Sequence, residues 1–150
     1  MRLRILERGR SERGSTAVEF ALIAVMFVIL LMSIVEIARL MLVFNSVANA
    51  ARAGARYAIV HGVDRTGSGV YGPSGPGSTT QVETVVQNFA KAGLLTTSNL
   101  TITVTYPNGN NKAGSPVRVT VTYSYDALIP YFSTLFSRTI GSTSQGVITF

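Results

Sequence analysis

The feature that most constrains this chain is an apolar run near its N-terminus. From Phe20 to Val35 the only polar residue is Ser33, and extending the run back to Ala17 gives 19 residues. A helix of that length is roughly 28 Å long, close to the roughly 30 Å thickness of a bilayer's hydrocarbon core. We therefore expect residues 15–35 to span a membrane. About 90 residues then remain for a soluble part, enough for one small core.

A basic segment precedes the run and predicts its orientation. Residues 1–14 contain five arginines and two glutamates, which account for +3 of the formal net charge of +6. Positive charge beside a span tends to stay in the cytoplasm, so we expect a single-pass protein with its N-terminus inside and its C-terminal domain outside. The other basic residues are scattered, which argues against nucleic acid as a partner. The sequence contains no cysteine, which excludes disulfides and thiolate chemistry.

The helical pattern continues beyond the span, and we predict one helix from about Ser15 to Val60 within a helical region 15–61. No proline occurs before Pro73, and the alanine-rich composition favours helix. Apolar residues recur at three- and four-residue steps. This stripe consists of Ile37, Leu40, Met41, Phe44, Val47, Ala48, Ala51, Ala55, Ala58 and Ile59.

Two further lines of residues lie on the outer half of this helix. Ala50, Gly54 and Ala58 are four residues apart, and such small residues let helices approach closely. They could pack against this protein's own sheet or against a partner helix. A polar line could be a solvated face, or it could contact lipid headgroups or the acidic surface of a partner. It consists of Asn45, Asn49, Arg52 and Arg56.

The next segments predict a loop and a short helix. Residues 62–79 are rich in glycine and proline, which indicates a loop. Thr80 begins a helix that Gly93 ends. Its shared apolar face comprises Val82, Val85, Val86, Phe89 and Ala90.

The C-terminal third predicts a small sheet. Residues 100–106 and 117–125 alternate between apolar and polar and flank a turn-rich segment, which is typical of a hairpin with a long loop. We expect residues 126–136 to be a connection against the core or the bilayer surface. One or two weak strand segments follow in 138–150, interrupted by Gly141 and Gly146. The predicted fold is α+β: a long transmembrane helix that continues outside the membrane, packed on an antiparallel sheet with one extra helix. Residues 80–150 form the extracytoplasmic domain.

Glu19 lies just inside the apolar run, where an ionisable side chain is costly. A carboxylate that reaches the headgroups would be one explanation. A second follows from its spacing: if the chain were cut after Gly14, the new amino group at Ser15 would lie one helical turn from Glu19, close enough to interact. Across subunits the same pairing could set the register of packed helices.

The N-terminal pattern resembles that of a known family. A basic leader, Gly14 and then STAVEF before an apolar run is similar to the prepilin signal of type IV pilins and pseudopilins. More narrowly, GSTAVEFAL, VEIARL and NAARAGARYA, all within residues 13–60, resemble TadE-like proteins, which are minor pilin-like components of tight-adherence (Flp-type) pilus machines. The resemblance implies cleavage by a prepilin peptidase between Gly14 and Ser15, with Glu19 guiding assembly.

The same resemblance implies partners and a location. The partners would be the lipid bilayer, other pilin-like subunits and the pilus assembly machinery. The location would be the bacterial inner membrane, with incorporation into a surface pilus. In VEIARL, Glu36 and Arg39 are three residues apart on the helix. They could form a local side-chain pair or contact the helix of a partner pilin.

Two other classes of function remain open from the residues alone. Ala48-Asn49-Ala50 resembles a signal-peptide cleavage site, as a secreted or generic anchored binding domain would have, but it lies far beyond the apolar run. An enzyme is disfavoured, because His61 is the only histidine and the acids outside the helix are well separated. We expect no catalytic residue, no cofactor and no metal site. Asn99 begins a glycosylation sequon.

Overall fold

The structure is a computed structural model that describes residues 8–128, 133 and 137–149. It contains a long helix α1 (Arg8–Ile59), a shorter helix α2 (Thr80–Ala92) and three strands. The strands are β1 (Leu100–Thr105), β2 (Pro116–Tyr125) and β3 (Arg138–Val147). This arrangement confirms the predicted α+β class. Residue contacts divide the chain into two units, Met1–Ala38 and Arg39–Phe150, and the boundary falls within α1.

Helix α1 begins at Arg8, within the basic segment and before the predicted start at Ser15. The residues from Arg8 to Arg13 include no proline, and Gly14 alone costs a helix only about 1 kcal/mol, so nothing in this stretch stops the helix. Its end at Ile59 is close to the predicted Val60. The Gly/Pro-rich segment that follows is a loop with one 3₁₀ turn, Gly69–Tyr71.

Helix α2 has the predicted bounds and most of the predicted face. Val82, Val86 and Ala90, each four residues apart, are fully buried. Phe89 was expected on this face, but its side chain is 53% exposed. It lies in the last turn of α2 beside a groove described below, where none of the described elements covers it.

The sheet is antiparallel with the order β1-β2-β3. Strand β2 lies in the middle and alternates as predicted. Its inward side chains are buried on one face: Val117, Val119, Val121, Tyr123 and Tyr125. They form one core with the small residues of the second half of α1 and the buried face of α2.

Strand β3 is continuous, so the predicted interruptions at Gly141 and Gly146 are wrong. Both glycines pair with β2, at Thr122 and Val117 respectively. A Cβ atom added at Gly146 would overlap the Ile59 side chain. This glycine therefore permits close packing of the second half of α1 on the strand. The predicted connection 126–136 lies mostly outside the described residues.

Candidate functional site

The apolar run of α1 has exposed side chains along its whole length. The large apolar residues from Val18 to Val35 are each between 46% and 72% exposed. The helix has a mean hydropathy of 2.8 in its most apolar window, of which 6% is buried. Among the residues that the structure describes, this is the one helix long and apolar enough to span a membrane. Exposed apolar area on this scale is unfavourable in water and is typical of a surface covered by lipid or by other helices.

The apolar run contains few polar groups, and Ser33 and Glu19 differ in their hydrogen bonding. The Ser33 hydroxyl donates to the backbone oxygen of Ile29 at 2.8 Å, so its polarity is satisfied inside the helix. Glu19 is exposed and makes no hydrogen bond or ion pair with another described residue. Gly14 and Ser15 are exposed and helical, and nothing lies within 4 Å of the position of a Gly14 Cβ atom.

Glu36 and Arg39 lie near the end of the apolar run. The Glu36 side chain is buried. Arg39 lies in the second unit, where its Nη1 donates to the backbone oxygen of Asp126 at 3.2 Å. Its guanidinium carbon is 5.2 Å from the centre of the Tyr125 ring, which is within the range of a cation–π contact. Arg39 therefore helps to hold the end of β2, and a contact with a partner helix stays a prediction.

The small-residue column lies inside the core of the second unit. Ala50, Gly54 and Ala58 are all buried. A Cβ atom added at Gly54 would overlap Val86 and lie 3.2 Å from Cγ1 of Val119. Of the two alternatives, the observed burial favours packing in this protein's own core, where Gly54 lies against helix α2 and strand β2.

The polar line of α1 forms one wall of a groove of about 560 Å³. Asn45 is exposed outside it, whereas Arg52 Nη1 donates to Asn49 Oδ1 at 3.4 Å within it. The end of α2 forms the other wall. The lining consists of Ser46, Asn49, Arg52, Ala53, Arg56, Phe89, Ala92 and Gly93. Sequence reasoning missed the α2 wall, because Phe89 was assigned to the core.

His61 takes part in packing and hydrogen bonding within the folded unit. Its ring stacks on Tyr57, with centroids 3.8 Å apart, and its Nδ1 lies 2.8 Å from the Tyr57 backbone oxygen, which can only accept. The His61 backbone oxygen accepts from the backbone N–H of Ser74 at 2.7 Å. Tyr106 in turn donates to the Ser74 hydroxyl at 3.3 Å. These bonds fasten the Gly/Pro-rich loop to the core. Burial raises the pKa of Tyr106, and the hydrogen bond with Ser74 opposes that rise only in part.

Two further observations concern binding chemistry. Within the described ranges, no group of three or more His, Cys, Asp or Glu residues could hold a metal ion. Asn99 Nδ2 donates to the Ser124 backbone oxygen at 3.3 Å and to Asp126 Oδ2 at 3.4 Å. The amide of the sequon is thus part of the local packing between β1 and the end of β2.

Comparison with known proteins associates this helix with one family. The family model described as TadE-like protein matches residues 14–56. No curated protein matches the chain, and no solved structure does so. The matched residues include the exposed apolar run, Gly14, Glu19 and most of the outer half of α1. The match confirms the resemblance predicted from the sequence: residues 14–56 carry the TadE-like pattern.

Proposed function

We propose that this protein is a membrane-anchored, non-enzymatic pilin-like subunit, a minor pilin or pseudopilin, of a tight-adherence pilus or a related secretion apparatus. The observation that carries the proposal is the exposed apolar helix with Gly14 and Glu19 at its start, all within the family match. The helix inserts in the bacterial inner membrane with its basic end inside. The folded unit that begins at Arg39 then lies outside the cytoplasm.

The proposed mechanism is helix packing controlled by one charge pair. A prepilin peptidase cuts between Gly14 and Ser15, and the new amino group at Ser15 becomes cationic. Glu19 pairs with this amino group on a neighbouring subunit, because opposite charges attract most strongly where water is excluded. The carboxylate's exposure and lack of a described partner support this role, since it is available to another chain.

A set of Glu19 variants tests the assembly role. Glu19→Ala should block co-assembly with the other pilin-like subunits and leave membrane insertion intact, measured by co-purification and by resistance to alkaline extraction. Glu19→Asp should restore part of the assembly, because it keeps the charge. Val18→Ala, a neighbouring change on the exposed helix, is the matched control. Normal assembly of Glu19→Ala would show that Glu19 has no such role.

The alternative is a generic anchored or secreted binding domain without a pilus role. The N-terminus of the mature protein distinguishes the pilin-like subunit from both of these domains. Sequencing the protein purified from membranes should give a start at Ser15. A start at Ala51 would instead indicate secretion after an ordinary signal peptide, and an intact Met1 would indicate a plain anchor. Gly14→Val should prevent the cut at Ser15, because the resemblance to prepilin signals implies a peptidase that cuts after glycine.

A further inference from the structure

The groove between α1 and α2 has a lining suited to a helix of another protein. Its floor is made of small residues, Ala53, Ala92 and Gly93, over which a backbone could approach closely. Gly93 itself packs tightly, since an added Cβ atom would lie 2.6 Å from the Ser46 hydroxyl. The exposed Phe89 ring adds an apolar wall. In grooves of this kind, an amphipathic helix binds with its apolar face against the groove.

The opposite wall of the groove is cationic. Arg52 and Arg56 are both exposed and lie four residues apart, so they are on one face of α1. Arg52 bonds to the neutral Asn49, and among the described residues none pairs with Arg56. Guanidinium groups form strong bidentate hydrogen bonds with carboxylates. The wall is therefore complementary to carboxylates spaced one helical turn apart.

A strained residue extends the apolar surface beyond the groove. Leu94, directly after Gly93, adopts φ +61°, a left-handed conformation that disfavours residues with a Cβ atom. The turn itself closes by backbone bonds from Leu94 to Lys91 and from Leu95 to Ala90, for which glycine would be the better residue. The Leu94 side chain is nevertheless 84% exposed. Packing among the residues that the structure describes thus gives no reason for a leucine at this position.

We propose that this surface, which we call the arginine groove, binds an acidic amphipathic helix of a partner protein. It comprises Asn49, Arg52, Ala53, Arg56, Phe89, Ala92, Gly93 and Leu94. Carboxylates of the partner pair with Arg52 and Arg56, and its apolar side chains contact Phe89 and Leu94. The proposal does not depend on cleavage after Gly14 or on Glu19.

Charge argues against a second copy of this chain as the occupant. The unit Arg39–Phe150 contains eight Lys and Arg residues and three Asp and Glu residues, a net of +5. Two such units repel one another, and α2 offers only Glu83, which accepts a hydrogen bond from Thr79. Carboxylates of a different, acidic protein therefore match the arginines better than a second copy of this basic unit does.

Peptide binding to the full chain in neutral-lipid nanodiscs tests the proposal. The probe is a labelled amphipathic helical peptide with Leu on one face and Glu at i and i+4 on the other, compared with its Lys-for-Glu counterpart. The Glu peptide should bind and the Lys peptide should not. The double variant Arg52→Glu, Arg56→Glu should bind the Glu peptide about tenfold or more weakly, because like charges then meet, and it should gain binding of the Lys peptide.

The charge-matched control is Lys112→Glu with Arg118→Glu, which changes two exposed cations outside the groove and should leave binding unchanged. Equal binding of both peptides, or equal losses in both double variants, would overturn the proposal. So would failure of the Glu peptide to bind while the groove variant loses affinity for phosphatidylglycerol vesicles. Self-association of the wild-type chain that the groove variant abolishes would assign the surface to a second copy instead.

Leu94→Gly separates binding from folding. The variant should weaken binding of the Glu peptide and raise the melting temperature by a few degrees, because glycine adopts positive φ without strain. Leu95→Gly, at a buried neighbour, should instead lower the melting temperature. Unchanged peptide binding by Leu94→Gly would remove Leu94 from the proposed surface.

Discussion

The two halves of α1 are both apolar and both helical, yet their side chains have opposite surroundings. From Val18 to Val35 the apolar residues are mostly large and exposed. From Val47 to Ala58 they are mostly alanine, and Val47, Ala50, Ala51 and Ala58 are each 0% exposed. Large side chains suit a helix whose surroundings are lipid, whereas small ones suit a helix that packs closely on a sheet and a second helix. Side-chain size therefore distinguishes the two halves better than hydropathy does.

The first half should tolerate changes of shape but not of charge. Met26 lies near the middle of the span and is 72% exposed. Met26→Asp should oppose insertion by about 2.5–3.5 kcal/mol, measured as a smaller membrane fraction after alkaline extraction. Met26→Leu is the control and should insert like the wild type. Unchanged insertion of the aspartate variant would contradict the expectation that the side chain at position 26 faces lipid.

The second half should react to a single methyl group. Gly54→Ala should lower the free energy of unfolding by about 1–3 kcal/mol through overpacking against Val86, although helix propensity alone would favour alanine by about 1 kcal/mol. The measurement is denaturant unfolding of the full chain in micelles, monitored by tyrosine fluorescence. Gly14→Ala, at the open position of the same helix, should leave this transition unchanged. A stabilised Gly54→Ala variant would contradict the packing described for this half.

Burial in the second unit also changes the pKa of a tyrosine, which predicts a smaller effect on stability. The pKa of Tyr106 is raised, chiefly by desolvation, so the unfolded chain loses this proton at lower pH than the folded chain. The stability that results is complete below the ordinary phenol pKa of about 10 and is lost as pH rises through the higher folded value. Tyr106→Phe should therefore reduce the alkaline loss of stability, measured by denaturant unfolding across that pH range. Tyr71→Phe, at a 70% exposed tyrosine, should retain it.

Local pattern was sufficient for most of the fold. The alternation in β2 survives as a strand with one buried face, and α2 has the bounds expected from Thr80 and Gly93. A strand was expected in the region of β3, but the predicted interruptions were wrong, because glycine can mark either an interruption or a close approach. Only the position of Ile59 shows that Gly146 is the second case. Gly93 ends α2 as expected, but the structure adds that it packs against Ser46 and that Leu94 takes the left-handed conformation.

The candidate site likewise has one part that could be predicted from the sequence and one part that could not. Gly14, Ser15, Glu19 and the apolar run follow from consecutive residues, and the TadE-like match lies over them. Only the α1 wall of the arginine groove could be predicted, because the spacing of Arg52 and Arg56 is visible in the sequence. The opposing wall from α2 is more than thirty residues away along the chain, and no local pattern indicates which helices become neighbours.

By itself, the sequence determined where the helices and strands form and which segment is too apolar for water. Those properties depend on period, composition and length, which neighbouring residues share. Only the tertiary structure decided that Ala50, Gly54 and Ala58 face the protein's own core and that Phe89 and Leu94 stay exposed. Close packing has no sequence period, because it depends on which distant side chains fill the space beside each Cα atom.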